Sequence, residues 1–222
     1  VNVPAPPIRV YCSGPLFCPE ELAGMGVLAA TLEAAGMTTY LPQRDGVEAY
    51  VLRHADSLGT LLPAALRRVV DRAIFALDVY EIVERCDVLV FNMNGRVPDE
   101  GAAVEAGMAM AVGRPVVLYK RDARSAFGSA DNAMITQLSR RPPVRDLTRL
   151  PEAVRAALGT QTHTAPTLPA DLAAAVAAGV RVRRLLDHLP AAAPLDRHAA
   201  ELIAQALAAT QGAGFSNSES FQ

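Results

Sequence analysis

"DVLVFNMNGRVPDEGAAVEAGMAMAVGRPVVLYK" (87–120) holds two apolar runs and one bland helical stretch between them. "DVLVFNM" (87–93) reads as a buried strand, and "RPVVLYK" (114–120) as another. Residues 100–112 read as a helix, because a short turn-rich loop precedes them and Gly113 follows. A strand, a helix and a second strand in that order make a parallel crossover unit.

The rest of the first two-thirds repeats the alternation. "IRVYCSG" (8–14) reads as a strand running into a turn, and residues 19–36 as a helix closed by Gly36. "MTTYLP" (37–42) is a short strand, "QRDGVEAY" (43–50) a polar loop, and residues 63–85 a long helix. Further on, 121–132 reads as a loop, 133–140 as a short helix, 144–148 as a last strand and 151–158 as a helix. This order predicts an α/β fold: a flavodoxin-like or Rossmann-like parallel sheet sandwiched by helices. Ligands of such sheets bind at the carboxyl ends of the strands. The loops 13–18, 42–46, 92–101 and 120–132 are therefore where a site is expected.

Composition changes after residue 160. "THTAPTLP" (162–169) reads as a linker, followed by two helices within about 170–210 and a polar tail expected to be disordered. The expected division is an α/β domain over 1–160 and a helical extension over 161–222. Arg181, Arg183 and Arg184 read as a solvated helix face.

With 222 residues, 51% hydrophobic, the chain can bury a sizeable core. A net charge of -2 does not ask for a nucleic-acid or membrane-surface partner. The three cysteines suggest neither a disulfide framework nor a zinc site. No leader pattern opens the chain, and no apolar run is long enough to span a bilayer. A cytoplasmic protein is the expectation.

Glu105 stands out within the bland helix. It is the one ionisable residue between Glu100 and Arg114, and its helical neighbours Gly101, Met108 and Ala109 cannot pair with a carboxylate. Either it is a stray exposed glutamate, or a carboxylate held for use. Asp99 follows Pro98 at the position of a helix N-cap. Asp78 interrupts an apolar stretch in "IFALDVYEIV", and its bland reading is an outer-face charge beside Glu81 and Glu84. Asp87 reads as structural, at the entry of its strand. Phosphate-cradling glycine motifs, HExxH and GxSxG are missing. The four histidines lie away from the candidate loops. Carboxylate chemistry at a sugar carbon remains.

Five elements in order resemble the nucleoside 2-deoxyribosyltransferase family: "VYCSGPLF", "YLPQRDG", Asp78 nine residues before Asp87 of "DVLVFNMNG", "PDEGAAVEAGMAMAVGRPVV", and "RDAR" with "DNAMI". The resemblance covers about residues 8–140. It implies a deoxyribosyl transferase of nucleotide salvage that cleaves the N-glycosidic bond of 2'-deoxynucleosides through a covalent glycosyl-enzyme. Under it Glu105 is the nucleophile, Asp99 and Asp78 are the acids near the base, and Tyr11 holds the nucleophile by its hydroxyl. Gly101 lets the sugar approach, while Gly14, Phe17, Gln43 and Asp45 fall where substrate binds. Asn132 reaches the deoxyribose from a neighbouring subunit, which implies a homo-oligomer with shared sites. Deoxynucleosides and nucleobases are the implied partners, with no metal or organic cofactor. Asn94 stands where many family members carry an acid. Two other readings stay open: hydrolysis by the same route, on a nucleoside or a 5'-monophosphate held by Ser13, Ser125, Ser129 and Arg124, and a non-catalytic nucleotide-binding module.

Overall fold

The computed structural model describes residues 6–53, 64–95, 97–124, 131–159, 167–190 and 197–208. Four parallel strands form the sheet: β1 (Arg9–Ser13), β2 (Thr38–Tyr40), β3 (Val88–Asn92) and β4 (Val116–Tyr119). Their order is β2-β1-β3-β4, so the chain reverses its direction of travel across the sheet beside β1. The crevice between β1 and β3 is the switch point at which open parallel sheets bind ligands. A single parallel bridge from Tyr119 to Val144 extends the sheet by one residue pair.

That bridge replaces the strand expected at 144–148. Pro142 and Pro143 lack the N–H groups a ladder needs. Asp146 then accepts a bond from the Thr148 amide and turns Leu147–Arg149 into a 3-10 helix. The loop expected at 43–50 is also helical: α2 (Pro42–Asp45) and α3 (Glu48–Arg53). Pro42 suits the first turn of α2, and Asp45 caps it by accepting from the Leu41 amide at 2.9 Å.

Side chains alternate across the strands and sort the two faces. Val10, Cys12, Val88, Val90 and Val117 pack under α1 (Pro19–Ala34) and α7 (Leu150–Leu158). Tyr11, Tyr40, Leu89, Phe91 and Leu118 face the other way. They meet α4 (Ala64–Tyr80), α5 (Glu100–Ala111), α8 (Ala170–His188) and α9 (Arg197–Ala208). Each fully buried Leu or Phe contributes roughly 1.5–3 kcal/mol relative to exposure. A four-residue helix, α6 (Ala133–Thr136), stands where a longer one was expected at 133–140.

The two C-terminal helices share the core of the sheet's second face, through Ala178, Val182, Leu186, Ala200 and Ile203. At Gly179 the α8 backbone lies against α4, where a Cβ would overlap the Ala76 carbonyl and the Tyr80 Cβ. Arg181 and Arg183 do not form a solvated face. Both are half-buried: Arg181 donates to the Ala206 carbonyl at 2.6 Å and Arg183 to the Asp45 carbonyl at 2.8 Å. Only Arg184 of the three is exposed. The expected linker 162–169 and the tail lie largely outside the described residues. Among the described residues no helix is long and apolar enough to cross a membrane.

Candidate active site

Strand alternation puts Tyr11 and Ser13 on the same face of β1, two residues apart. Across from them, α5 presents Glu105. The Tyr11 hydroxyl donates to Glu105 Oε1 at 2.8 Å, and the Ser13 hydroxyl to Oε2 at 2.5 Å. Both carboxylate oxygens are thus held, and the residue keeps part of its surface open to solvent. Glu105 is therefore neither stray nor fully buried.

Asp78 is not on an outer face. It is buried, within reach of Tyr11, and its Oδ1 accepts from the Tyr40 hydroxyl at 3.3 Å. Beside it lies Glu48 of α3, also buried. Glu81 is fully buried in the π-helical turn Glu81–Arg85 that continues α4, and Arg9 pairs with it at 2.8 Å. Glu84 alone of that group is exposed. Asp87 is structural as read, accepting the Arg9 amide at 2.8 Å.

The electrostatics follow from burial without a counter-ion. Among the described residues no cation pairs with Glu105, Asp78 or Glu48. Burial pushes the Glu105 carboxyl up to about 7, with the charges of Glu48 and Asp99 adding to it; the Ser13 and Tyr11 hydroxyls pull it back down. Burial raises Asp78 well above the usual carboxylate range, and the Glu48 and Glu105 charges raise it further. Glu48 is raised by its own burial. Each of these acids therefore gives up its proton less readily than it would in water.

Asp99 caps α5: its Oδ1 accepts from the Ala102 amide at 2.6 Å. Burial raises its carboxyl, while the Ala102 bond opposes the rise. Its charge is felt at Glu105. Gly101 is exposed on the first turn of α5. Gly14 is buried at the end of β1, where a Cβ would meet Met25 Sδ at 2.7 Å and Asn92 Cβ at 2.8 Å. Asn94, the neutral residue in the loop after β3, accepts from the amides of Arg121 and Asp122 at 2.7 and 2.9 Å. One amide oxygen thereby ties together the loops leaving β3 and β4.

Other expected residues stand apart. Gln43 donates to the Leu22 carbonyl at 2.8 Å and Asp45 caps α2. Both line a cavity of about 880 Å³ that Glu105, Asp99, Asp78 and Tyr11 do not line. Phe17 is 76% exposed in the loop after β1. Asn132 is exposed and caps α6, accepting from the Met134 amide at 2.9 Å. Of the residues considered for a phosphate nest, Ser13 is bonded to Glu105 and Arg124 pairs with Asp122. Ser125 and Ser129 lie outside the described residues, as do His54 and His163.

Sequence reasoning missed Tyr40, Glu48 and Gly46. The Tyr11 and Tyr40 rings stack with centroids 5.2 Å apart. A Cβ on Gly46 would overlap Glu48 Oε2 and lie 2.8 Å from the Tyr40 hydroxyl. Ser13 was available from the period of the strand, two residues after Tyr11. Glu48 had a weaker signal: Val47, Ala49 and Tyr50 flank it and are buried with it. Among the described residues no group of three His, Cys, Asp or Glu side chains is arranged to hold a metal ion.

Comparison with known proteins bears on this framework. No curated protein matches the chain. Among solved structures, a conserved protein from Enterococcus faecalis V583 is similar at TM-score 0.50 and 19% identity, covering 68% of this chain and 99% of that one. At that identity the likeness concerns the fold. A 2-deoxyribosyltransferase from Bacillus psychrosaccharolyticus aligns at TM-score 0.46 and 20% identity, over 72% of this chain and 99% of its own. A 2-desoxiribosyltransferase from Leishmania mexicana aligns at TM-score 0.38 and 17% identity, over 69% and 95%. The model of a sequence family described as nucleoside 2-deoxyribosyltransferase matches residues 10–134. That span begins one residue before Tyr11 and ends after Asn132, so it takes in β1 from Val10, α4 and α5, and with them Glu105, Asp99, Asp78 and Glu48. More than half of the chain, including the whole framework of the site, thus carries the family's pattern, and the chain belongs to the nucleoside 2-deoxyribosyltransferase family.

Proposed function

We propose that this protein transfers 2-deoxyribose from one nucleobase to another through a covalent intermediate on Glu105. The observation that carries the reading is a carboxylate held by two hydroxyls, from Tyr11 and Ser13, beside a buried acid, Asp78, that burial raises well above the usual carboxylate range. Family membership supports it, since the family consists of glycosyl-transferring enzymes acting on nucleosides.

In the ionised form, one Glu105 oxygen attacks the anomeric carbon as the bond from that carbon to the base nitrogen breaks. The electron pair of that bond leaves with the base, which takes a proton from Asp78 or Asp99. A nitrogen of the incoming base then attacks the same carbon, Glu105 leaves as carboxylate, and the proton on the incoming nitrogen returns to the acid. Two inversions give net retention. Tyr11 and Ser13 fix the direction of attack, which is a positioning contribution. Asp99 serves twice, as cap and as acid.

Asn132 and Met134 give the proposal an oligomeric side. Met134 is 80% exposed next to an exposed asparagine, an arrangement suited to contact with a second subunit. The division into a catalytic α/β unit and a supporting helical extension belongs to the same proposal.

The test is chromatography of purified protein with 2'-deoxyinosine and adenine, beside deoxynucleoside alone and a Glu105→Ala control. New deoxyadenosine, lost in the variant, is the expected result. Free base without exchange assigns hydrolysis by the same route instead. No turnover with any donor overturns catalysis.

A further inference from the structure

A second cavity, of about 710 Å³, lies far from the carboxyls in the fold. It runs along β4, between Pro115–Val117 and Pro142–Arg145, and none of Glu105, Asp99, Asp78 and Glu48 lines it. Its apolar wall includes Met110, Val116, Pro142 and Ala153. Arg114, Arg140, Arg141, Arg145 and Arg149 also line it, against only two acids, Asp146 and Glu152. Five positive charges against two negative leave an excess of three, in a chain whose net charge is -2.

One of these arginines has a counter-charge nearby: after the bond from the Thr148 amide, the charge of Arg149 helps to lower the Asp146 carboxyl. Among the described residues none of the five forms an ion pair. Three donate to neutral backbone carbonyls instead: Arg114 to Val83 at 2.6 Å, Arg141 to Ala156 at 3.4 Å and Arg145 to Lys120 at 3.2 Å. The guanidinium groups of Arg140 and Arg149 have no hydrogen-bond acceptor among the described residues. Asp146 directs an oxygen to the Thr148 amide at 2.9 Å. Four of the five arginines fall within ten residues, three on a loop stiffened by Pro142 and Pro143 and Arg149 in the 3-10 helix after it. Gathering like charges at one mouth costs free energy unless an anion joins them.

We propose that this cavity binds a nucleoside polyphosphate. Guanidinium forks match phosphate oxygens two at a time, and unpaired arginines hold the strongest such contacts in reserve. The volume falls within the range of small-molecule sites, roughly 300–1,000 Å³, and is far more than a phosphate alone requires. The apolar wall accommodates the base and sugar. Met110 belongs to α5, so the bound nucleotide touches the far end of the helix that carries Asp99 and Glu105.

Isothermal titration calorimetry at fixed ionic strength tests this with ATP, tripolyphosphate, adenosine and a short single-stranded oligonucleotide. ATP is expected to bind with a sub-millimolar Kd, tripolyphosphate more weakly and adenosine not at all. Arg140→Glu with Arg149→Glu is expected to weaken ATP at least about tenfold; both side chains are exposed, and an unchanged circular dichroism spectrum checks that the fold is kept. Asp78→Asn is expected to leave ATP affinity unchanged. The proposal is overturned by absence of ATP binding, by affinity indifferent to the arginine pair, or by sensitivity to Asp78→Asn. It is equally overturned if tripolyphosphate binds as well as ATP, or if the oligonucleotide binds more tightly than ATP, which assigns the face to nucleic acid.

Discussion

Tyr11 and Glu105 lie 94 residues apart in the chain and share a hydrogen bond of 2.8 Å. The bond favours the ionised carboxylate and opposes the burial that raises it. Tyr11→Phe removes the donor without emptying the space. A hydrogen bond to a charged group contributes about 1.5–3 kcal/mol, so kcat/KM is expected to fall roughly 10–100-fold. The acid limb of the pH–rate profile moves up at the same time. A merely structural tyrosine would leave that limb where it is.

The carboxyl pushed up to about 7 also couples stability to pH. Its folded value lies above its unfolded one, so the native state binds the proton more tightly. Stability is then fully present below about pH 4.5 and is lost as pH rises toward 7. Glu105→Gln abolishes this loss. Denaturant titrations at about pH 5 and pH 8 should show the variant gaining on the wild type at the higher pH, by about 2–3 kcal/mol at most. An equal offset at both pH values counts against a raised Glu105.

Burial, first of all, raises the Asp78 carboxyl well above the usual carboxylate range. Asp78→Asn keeps the shape and deletes the acid. Turnover is expected to fall about 10²–10⁴-fold, the usual contribution of a general acid. The melting temperature should hold or rise, because a costly buried carboxyl has gone. A parallel collapse of melting temperature and turnover points to a structural aspartate instead.

Asn94 makes a simpler prediction. Its side-chain oxygen serves two amides, of Arg121 and Asp122, and Asn94→Ala leaves both without that acceptor. The expected loss is about 1–3 kcal/mol, measured by chemical denaturation. Asn94→Asp retains the acceptor and restores most of it.

The elements with one environment were legible in the sequence. "DVLVFNM" and "RPVVLYK" are buried on both faces, and a continuous apolar run says so. The bland helix declared itself through its small residues, and Asp99 declared its start. What the sequence hid depended on tertiary partners. "QRDGVEAY" looked like a loop because its polar letters conceal Val47, Ala49 and Tyr50, which are buried under α4 and the C-terminal helices. Asp78 looked like a surface charge because nothing local shows that Tyr40 and Glu48 close over it. Val144 pairs for one residue only, and the two prolines before it were the sign that a full strand would not follow.

At Gly179 the α8 backbone meets the Ala76 carbonyl and the Tyr80 Cβ of α4 with no side chain of its own between them. Elsewhere in a core, a small displacement dissipates as side chains hop between wells. Here the α8 main chain rests on the Ala76 carbonyl and the first side-chain carbon of Tyr80, and Asp78 sits on α4 between those two residues. A side chain added at Gly179 would therefore press first on the stretch of α4 that carries Asp78.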